Sequence, residues 1–166
     1  VICNPNAVKK DLTALDRYRL RWNNVVYEPG ELRVVVFDEQ GNRAGEQVLR
    51  TAGKPVAMKL EADRKVIKAD GSDLAYITVS LTDKNGTEIP TATDQLTFDV
   101  SGAGKFRGVC NGDATSLQPF TKPEMKLVSG KLVVTVQASD TKGEIKLTVR
   151  DKDHPKLKNS IIINAE

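Results

Sequence analysis

The sequence is dominated by short runs in which apolar and polar residues alternate, each run ending in residues that favour turns. In one such run Ile77, Val79 and Leu81 occupy every second position, which places them on one face of a strand. The Asp-Lys-Asn-Gly segment that follows is typical of a tight turn. After Pro55, about seven or eight such runs follow one another at the spacing of a sandwich. The pattern predicts an all-β, immunoglobulin-like β-sandwich.

The strand runs differ in number on the two sides of residues 50–55. Strands are predicted at 17–22, 31–38 and 45–51 before this segment, and at 56–62, 66–67, 74–82, 95–100, 105–109, 131–138, 143–150 and 160–164 after it. Three strands are too few for a sandwich of this type, which needs about seven. We therefore expect residues 1–53 to be the C-terminal remnant of one β-sandwich, truncated at its N-terminus, and residues 54–166 to be a complete second one. Pro55 restricts the residue before it to extended conformations.

Charge and hydropathy argue against two classes of function. The 25 basic and 22 acidic residues give a net charge of +3, and the two signs are interspersed, which does not indicate binding to nucleic acid. The apolar runs at 34–37 and 161–163 are far shorter than the roughly 20 residues that span a bilayer. The first residues lack both an initiator Met and the layout of a signal peptide, so we expect a piece of a longer, processed chain.

Two cysteines, Cys3 and Cys110, allow at most one disulfide. The alternative for Cys110 is a free thiol that packs as a small buried hydrophobic residue. In either case we expect hydrophobic cores rather than disulfides to stabilise the domains.

Two features superficially suggest a chemical site. Gly102 and Gly104 have the spacing of a phosphate loop, but the third glycine and the following helix are missing, so we interpret them as a turn between strands. His154 is the only histidine, and no cysteine or second histidine lies at metal-binding spacing from it. We interpret it as an exposed loop residue.

Asp and Asn residues cluster at three turns, residues 70–73, 83–86 and 111–113. Oxygen ligands in loops can bind calcium, but none of the three has the ligand series of a calcium loop, and Asx turns explain them without an ion. There is also no Gly-x-Ser-x-Gly motif of a serine hydrolase. The sequence therefore predicts no catalytic, cofactor-binding or metal-binding residue and no cofactor.

The aromatic residues allow two interpretations. Rings on a β-sandwich can form a platform for sugars, but aromatic residues make up only 5% of the chain. Core packing is the simpler prediction for the aromatic residues inside alternating runs, which are Tyr18, Trp22, Phe37, Tyr76 and Phe98. Tyr27, beside a Pro-Gly turn, has the position of a tyrosine that braces a strand corner in immunoglobulin-like domains.

Two groups of segments resemble a known family. Residues 19–32, continued through 37–38 to 50–55, resemble the closing strands of the immunoglobulin-like domain that follows the catalytic barrel in bacterial β-galactosidases of glycoside hydrolase family 2. The second group resembles the C-terminal immunoglobulin-like domain of the same enzymes, as in those of the Bacteroides type; it comprises Leu60 with Asp63, residues 67–74, Val79, Asp83, Gly86, residues 98–102 and residues 108–113. The resemblance covers nearly all of residues 17–150.

The resemblance implies a supporting role. Enzymes of that family carry the acid/base and nucleophile glutamates on a (β/α)₈ barrel, and the sequence contains no barrel segment, so no catalytic residue can be assigned here. We expect a non-catalytic C-terminal piece of a β-galactosidase that supports the barrel and contributes to a subunit contact. Its expected partners are the barrel, the other domains of the parent enzyme and a second copy of the chain. The expected location is periplasmic or on the surface of, or secreted from, a bacterium.

Two alternatives remain open from the sequence. The complete domain could be a carbohydrate-binding module, which requires an exposed aromatic platform. It could also be a spacer of a bacterial adhesin, because an Ala-Asp-Gly segment before a long strand resembles the immunoglobulin-like repeats of invasin-type adhesins as well. Asn111, Gly112 and Asp113 are distinctive, but the sequence indicates no role for them beyond a turn.

Overall fold

The computed structural model describes residues 25–166. The strand predicted at 17–22, with Tyr18 and Trp22, lies outside the described residues. Cys3, the possible disulfide partner of Cys110, lies outside them as well. Within the described range, no helix is long and apolar enough to cross a membrane.

The chain divides into two units, Val1–Leu49 and Arg50–Glu166. The described part of the first unit holds a two-stranded sheet of β1 (Glu31–Phe37) and β2 (Arg43–Arg50). Between these strands the Asp38 carboxylate accepts hydrogen bonds from the backbone amides of Gln40 and Asn42, at 3.0 and 2.7 Å. The predicted hairpin is confirmed, and the interpretation of this unit as the remnant of a sandwich remains a prediction.

The second unit consists of nine strands in two sheets. In chain order they are β3 (Ala57–Ala62), β4 (Val66–Ile67), β5 (Leu74–Thr82), β6 (Gln95–Gly102), β7 (Gly104–Cys110), β8 (Glu124–Lys126), β9 (Lys131–Ala138), β10 (Gly143–Asp151) and β11 (Lys158–Ala165). One sheet has the order β4-β11-β10-β6-β8 and the other β3-β5-β9-β7. All the pairings are antiparallel except that between β4 and β11. The predicted all-β sandwich is confirmed.

Alternation along the strands builds the core of this unit. Every second residue of β5 is buried, and Ile77, Val79 and Leu81 are all fully inaccessible to solvent. Leu147 of β10 and Leu96 of β6 contribute from the opposite sheet and are equally buried. Burying a side chain of this size stabilises the fold by about 1.5–3 kcal/mol relative to leaving it exposed.

The chain passes from one sheet to the other between β6 and β7 through a single residue, Ala103. Gly102 adopts a φ of +92°, and a Cβ added there would lie 2.0 Å from the backbone oxygen of Glu144. A Cβ at Gly104 would lie 2.7 Å from the oxygen of Gln137. The two glycines are required by close approach of the backbone, so the interpretation of this segment as a turn between strands is confirmed.

The prediction of core packing holds for only one of the three aromatic residues that can be compared. Phe98 is buried and stacks on Phe106 with ring centroids 6.2 Å apart. Phe37 and Tyr76 are 61% and 44% exposed, so the prediction is wrong for both. Tyr76 follows Ala75 and precedes Ile77, which both point into the core, and alternation therefore directs its ring outward.

Cys110 is a free and exposed cysteine, and its prediction as a buried hydrophobic residue is wrong. The neighbouring Val109 is buried, so the alternation of β7 turns the thiol toward solvent.

Candidate functional site

The loop that follows β10 is folded by the carboxylate of Asp151. Its Oδ1 atom accepts hydrogen bonds from the backbone amides of Asp153 and His154, at 2.8 and 2.9 Å. The amide of Asp151 donates to the carbonyl of Leu157 at 3.1 Å and closes the loop. This Asx turn therefore fixes the backbone position of His154, from which the imidazole extends.

Two further hydrogen bonds fasten this loop to the beginning of β6. The Lys152 amide donates to the Gln95 carbonyl at 2.9 Å, and the Gln95 amide donates to Oδ2 of Asp153 at 2.8 Å. Asp94, the residue before β6, is thereby brought beside the imidazole, and its Oδ1 lies 2.7 Å from Nδ1 of His154.

Asp94, Asp151 and His154 form a group that we name the Asp-His cluster. Oδ2 of Asp151 lies 3.5 Å from Nδ1 of His154, and one ligand atom from each of the three side chains lies within 4.8 Å of the others. The Asp151 side chain is completely buried and that of Asp94 is 11% exposed, while the imidazole is 48% exposed. Within residues 25–166, Oδ2 of Asp151 has no hydrogen-bond partner. The cluster is a buried pair of carboxylates with an imidazole that reaches the solvent.

The electrostatics of the cluster favour a cation. Burial lowers the pKa of His154, but the hydrogen bond to Asp94 and the negative charges of Asp151 and Asp94 outweigh it and hold that pKa above its ordinary value. A protonated imidazole balances one of the two carboxylate charges.

The prediction that His154 is an exposed loop residue is correct, since its imidazole is 48% exposed, but the sequence did not indicate its two acidic neighbours. Asp94 lies 60 residues away in the chain and meets His154 only because β6 pairs with β10. The only local indication of this contact in the sequence is Asp151, three residues before His154. The Asx turn places the Asp151 carboxylate next to the imidazole.

The acidic turns at residues 70–73 and 111–113 are structural. Oδ1 of Asp70 accepts the amides of Ser72 and Asp73 at 2.9 and 2.8 Å, and these hydrogen bonds hold the pKa of Asp70 below its ordinary value. The interpretation as Asx turns is confirmed there.

The distinctive segment at residues 111–113 has a structural role that the sequence did not indicate. The side-chain oxygen of Asn111 accepts the amide of Asp113 at 3.0 Å, and its Nδ2 donates to the Lys126 carbonyl at 2.9 Å. Asn111 thus attaches the turn to the edge strand β8. Asp113 in turn accepts hydrogen bonds from the hydroxyl and amide of Thr115, which lower its pKa.

A shallow groove of about 290 Å³ crosses the outer face of the four-stranded sheet. Tyr76 of β5 and Phe120, which is 57% exposed, line it together with Arg107, Cys110 and Thr135. We name it the Tyr76 groove. It offers two rings and a guanidinium group, and no carboxylate lines it.

A second groove, of about 590 Å³, lies between β3 and β11. Leu60, Ile161 and Ile162 contribute apolar lining, and Glu61 and Lys65 are its charged residues. It therefore has one carboxylate.

The deciding comparison is with protein families. The model for "Glycoside hydrolase family 2 C-terminal domain 5" matches residues 58–159, which is most of the sandwich just described. The chain belongs to this C-terminal domain family of glycoside hydrolase family 2. A second model, for a domain of unknown function (DUF4982), matches residues 6–45.

Similar proteins agree with the family assignment. The chain is 37% identical to the β-galactosidase BoGH2A of Bacteroides ovatus over 134 residues, which are 81% of this chain and 16% of that protein. Its fold matches the structure of a glycoside hydrolase family 2 member from Bacteroides cellulosilyticus with a TM-score of 0.80 and 32% identity, over 86% of this chain and 18% of that one. A β-glycosidase from Bacteroides vulgatus matches with a TM-score of 0.76 and 31% identity, over 85% and 18% of the two chains.

The chain thus spans less than a fifth of the length of each of these family 2 proteins. The predicted resemblance to the C-terminal immunoglobulin-like domains of this family is confirmed.

Proposed function

We propose that this chain acts as a non-catalytic C-terminal part of a family 2 glycoside hydrolase whose substrates are β-galactosides. The observation that carries the proposal is the 37% identity to a β-galactosidase over four fifths of the chain. In this role the sandwich supports the catalytic barrel of the parent enzyme. A contact with a second copy of the chain is part of the same proposal.

The carboxylates of the chain support the non-catalytic role. Glycoside hydrolysis in this type of enzyme uses two carboxyl groups about 5–9.5 Å apart, and the general acid needs a raised pKa. The Tyr76 groove has no carboxylate, the groove beside β3 has one, Glu61, and the buried pair Asp94 and Asp151 lies outside both grooves. Among the described residues, every carboxyl group with a resolved shift has a lowered pKa; these are Asp38, Asp70, Asp73, Asp83, Glu88, Asp113 and Glu124.

An activity assay on the isolated chain tests this part of the proposal. The 166-residue chain is incubated with an aryl β-galactoside, and the expected result is no release of the aryl alcohol above the buffer rate. Turnover by the purified chain would show that it carries its own active site, and the proposal would then be withdrawn.

The supporting role needs a test in the parent enzyme. Recovery of the complete reading frame is expected to place a (β/α)₈ barrel before this chain, whereas tandem similar sandwiches would support the adhesin spacer instead. Removal of residues 50–166 from the parent is then expected to lower the midpoint of thermal inactivation. An unchanged midpoint would contradict support of the barrel.

The Tyr76 groove favours one alternative, a carbohydrate-binding module. Its two exposed rings are the kind of surface on which sugars stack, and Arg107 beside them supplies donors for hydroxyl groups. Retardation of the chain in gels that contain galactan would support sugar binding. The retardation should disappear in Tyr76→Ala and Phe120→Ala and persist in Tyr27→Ala, an exposed aromatic residue outside the groove.

We also propose a periplasmic, cell-surface or secreted location. A polysaccharide substrate, which is too large to cross a membrane, would require such a location. Fractionation of cells that express the complete parent tests it, and recovery of the enzyme only from the cytoplasm would contradict it.

A further inference from the structure

We propose that the Asp-His cluster is a binding site for a divalent transition-metal ion, with zinc as the ion that its ligands fit best. The ligands are one carboxylate oxygen of Asp94, Oδ2 of Asp151 and Nδ1 of His154. The proposal does not depend on the activity of the parent enzyme.

The first argument is the free carboxylate oxygen at the centre of the cluster. Oδ2 of Asp151 is buried and has no hydrogen-bond partner in the described part of the chain, although Oδ1 of the same group accepts two backbone amides. A buried carboxylate oxygen without a hydrogen bond is costly. It is directed at Nδ1 of His154, 3.5 Å away, and a metal ion between the two atoms would satisfy it.

The second argument is distance. Zinc binds imidazole nitrogen and carboxylate oxygen at about 2.0–2.2 Å, so two ligands of a tetrahedral site lie about 3.4 Å apart. The separation of 3.5 Å between Nδ1 of His154 and Oδ2 of Asp151 already has this value. The Oδ1 atom of Asp94 is 2.7 Å from Nδ1, which is a hydrogen-bond distance. It would have to move away by less than 1 Å to reach the separation of about 3.4 Å between two zinc ligands.

The third argument is charge. The two carboxylates are almost completely buried. A divalent ion on a neutral imidazole balances both, and it leaves the cluster without net charge in a poorly solvated position.

The ligand types select the class of ion. Calcium and magnesium prefer sites made of oxygen atoms, whereas an imidazole nitrogen with carboxylates suits zinc and its first-row neighbours. Three protein ligands leave the fourth coordination position of the ion open. Because the imidazole is half exposed, we expect this coordination position to face the solvent. The bound ion would join the end of β10 to the start of β6.

Titration calorimetry with zinc chloride tests the site in the 166-residue chain. Both cysteines are first changed to serine, Cys3→Ser and Cys110→Ser, because thiolates also bind zinc. We expect one zinc ion per chain, and no saturable binding of calcium at the same concentrations. Failure to bind zinc would overturn the proposal.

Substitutions assign the ligands. Asp94→Asn and His154→Gln are each expected to weaken zinc binding at least about tenfold, the range seen even for residues that only orient a ligand. Asp94 is the decisive position, because Asp151 also folds the loop through Oδ1. Asp99→Asn is the matched control: it removes an exposed carboxylate of β6 that lies outside the cluster, and it should bind zinc like the unsubstituted chain. Equal loss in the control and in Asp94→Asn would refute the ligand assignment.

The imidazole offers an independent measurement. His154 is the only histidine of the chain, so its two ring nitrogens are the only imidazole signals in a nitrogen-15 NMR spectrum. Stoichiometric zinc is expected to shift the Nδ1 signal, and calcium is expected to leave it in place. Zinc binding with an unchanged imidazole spectrum would place the ion elsewhere and overturn the proposal.

Discussion

The backbone amide of Gly53 donates a hydrogen bond of 2.9 Å to Oδ2 of Asp83. The other oxygen, Oδ1, accepts the amides of Asn85 and Thr87 at 2.8 and 2.9 Å. One buried carboxylate therefore holds both the segment that leads into β3 and the turn that follows β5. The segment at residues 50–55, predicted as the boundary between two sandwiches, is attached in this way to the second unit.

The Asp83 carboxylate predicts a loss of stability in acid. The amide of Gly53 lowers its pKa, burial raises it, and the amides of Thr87 and Asn85 lower it further, with a net decrease. A carboxyl group with a lowered pKa in the folded state stabilises the fold above its unfolded value of about 3.9, and this contribution disappears as the pH falls through the folded pKa. Urea denaturation between pH 7 and pH 2 should show the decrease.

Asp83→Asn isolates this effect. The variant is expected to be less stable than the unsubstituted chain at pH 7. The difference should disappear as the pH falls through the lowered pKa of Asp83, where this carboxyl group becomes protonated. Asp99→Asn removes an exposed carboxylate from β6 and controls for the change in net charge. If the two variants have the same pH profile, the hydrogen bonds to Asp83 do not stabilise the fold.

The core of the sandwich predicts a large difference between two leucines. Leu147 of β10 is completely buried, and Leu117 is 98% exposed. Leu147→Ala should lower the free energy of unfolding by about 2–5 kcal/mol through lost burial and the remaining cavity. Leu117→Ala should change it by less than about 0.5 kcal/mol. Denaturation midpoints with unchanged slopes measure both, and a small effect at Leu147 would contradict the described core.

Asn159 provides a connection between the two sheets. Its Nδ2 atom, on β11, donates to the carbonyl of Met58 on β3 at 2.7 Å, and its Oδ1 accepts the amide of Ser160 at 2.8 Å. Asn159→Asp keeps the acceptor but replaces the donor by an oxygen that repels the carbonyl. We expect a loss of about 1–3 kcal/mol in the free energy of unfolding.

Asn164→Asp is the control for this substitution, because Asn164 is an exposed residue of the same strand. It should change the free energy of unfolding by less than about 0.5 kcal/mol. A similar loss in both variants would mean that added charge, rather than the contact with Met58, explains the result at Asn159.

Local sequence patterns predicted most strands of the sandwich. They failed for features that depend on the pairing of strands far apart in the chain. The alternation around Ile77 and Leu81 predicts β5 because one face of each strand must be apolar. The edge strand β8 was missed because its three residues are too short to show a period, although Met125 in it is completely buried. The same alternation, applied to Tyr76, would have placed its ring on the outer face.

The Asp-His cluster was missed for a similar reason. Asp94 and His154 are 60 residues apart and meet only through the pairing of β6 with β10 and the hydrogen bonds at Gln95. Sequence spacing contains no information on such a contact. Family resemblance did not supply it either, because it concerned the identity of the domain and transferred no residue role to this chain.

Gly102 and Gly86 allow backbone strain and steric conflict to be separated. Both adopt a positive φ, +92° and +78°, in which an alanine costs about 1–2 kcal/mol. A Cβ at Gly86 would have no atom of the described residues within 4 Å. At Gly102 it would lie 2.0 Å from the backbone oxygen of Glu144, so β6 and β10 would have to move apart. Gly86→Ala should therefore lower the free energy of unfolding by about 1–2 kcal/mol. Gly102→Ala should lower it by clearly more or prevent folding, as measured by urea denaturation, and equal losses at the two positions would refute the tight corner between the sheets.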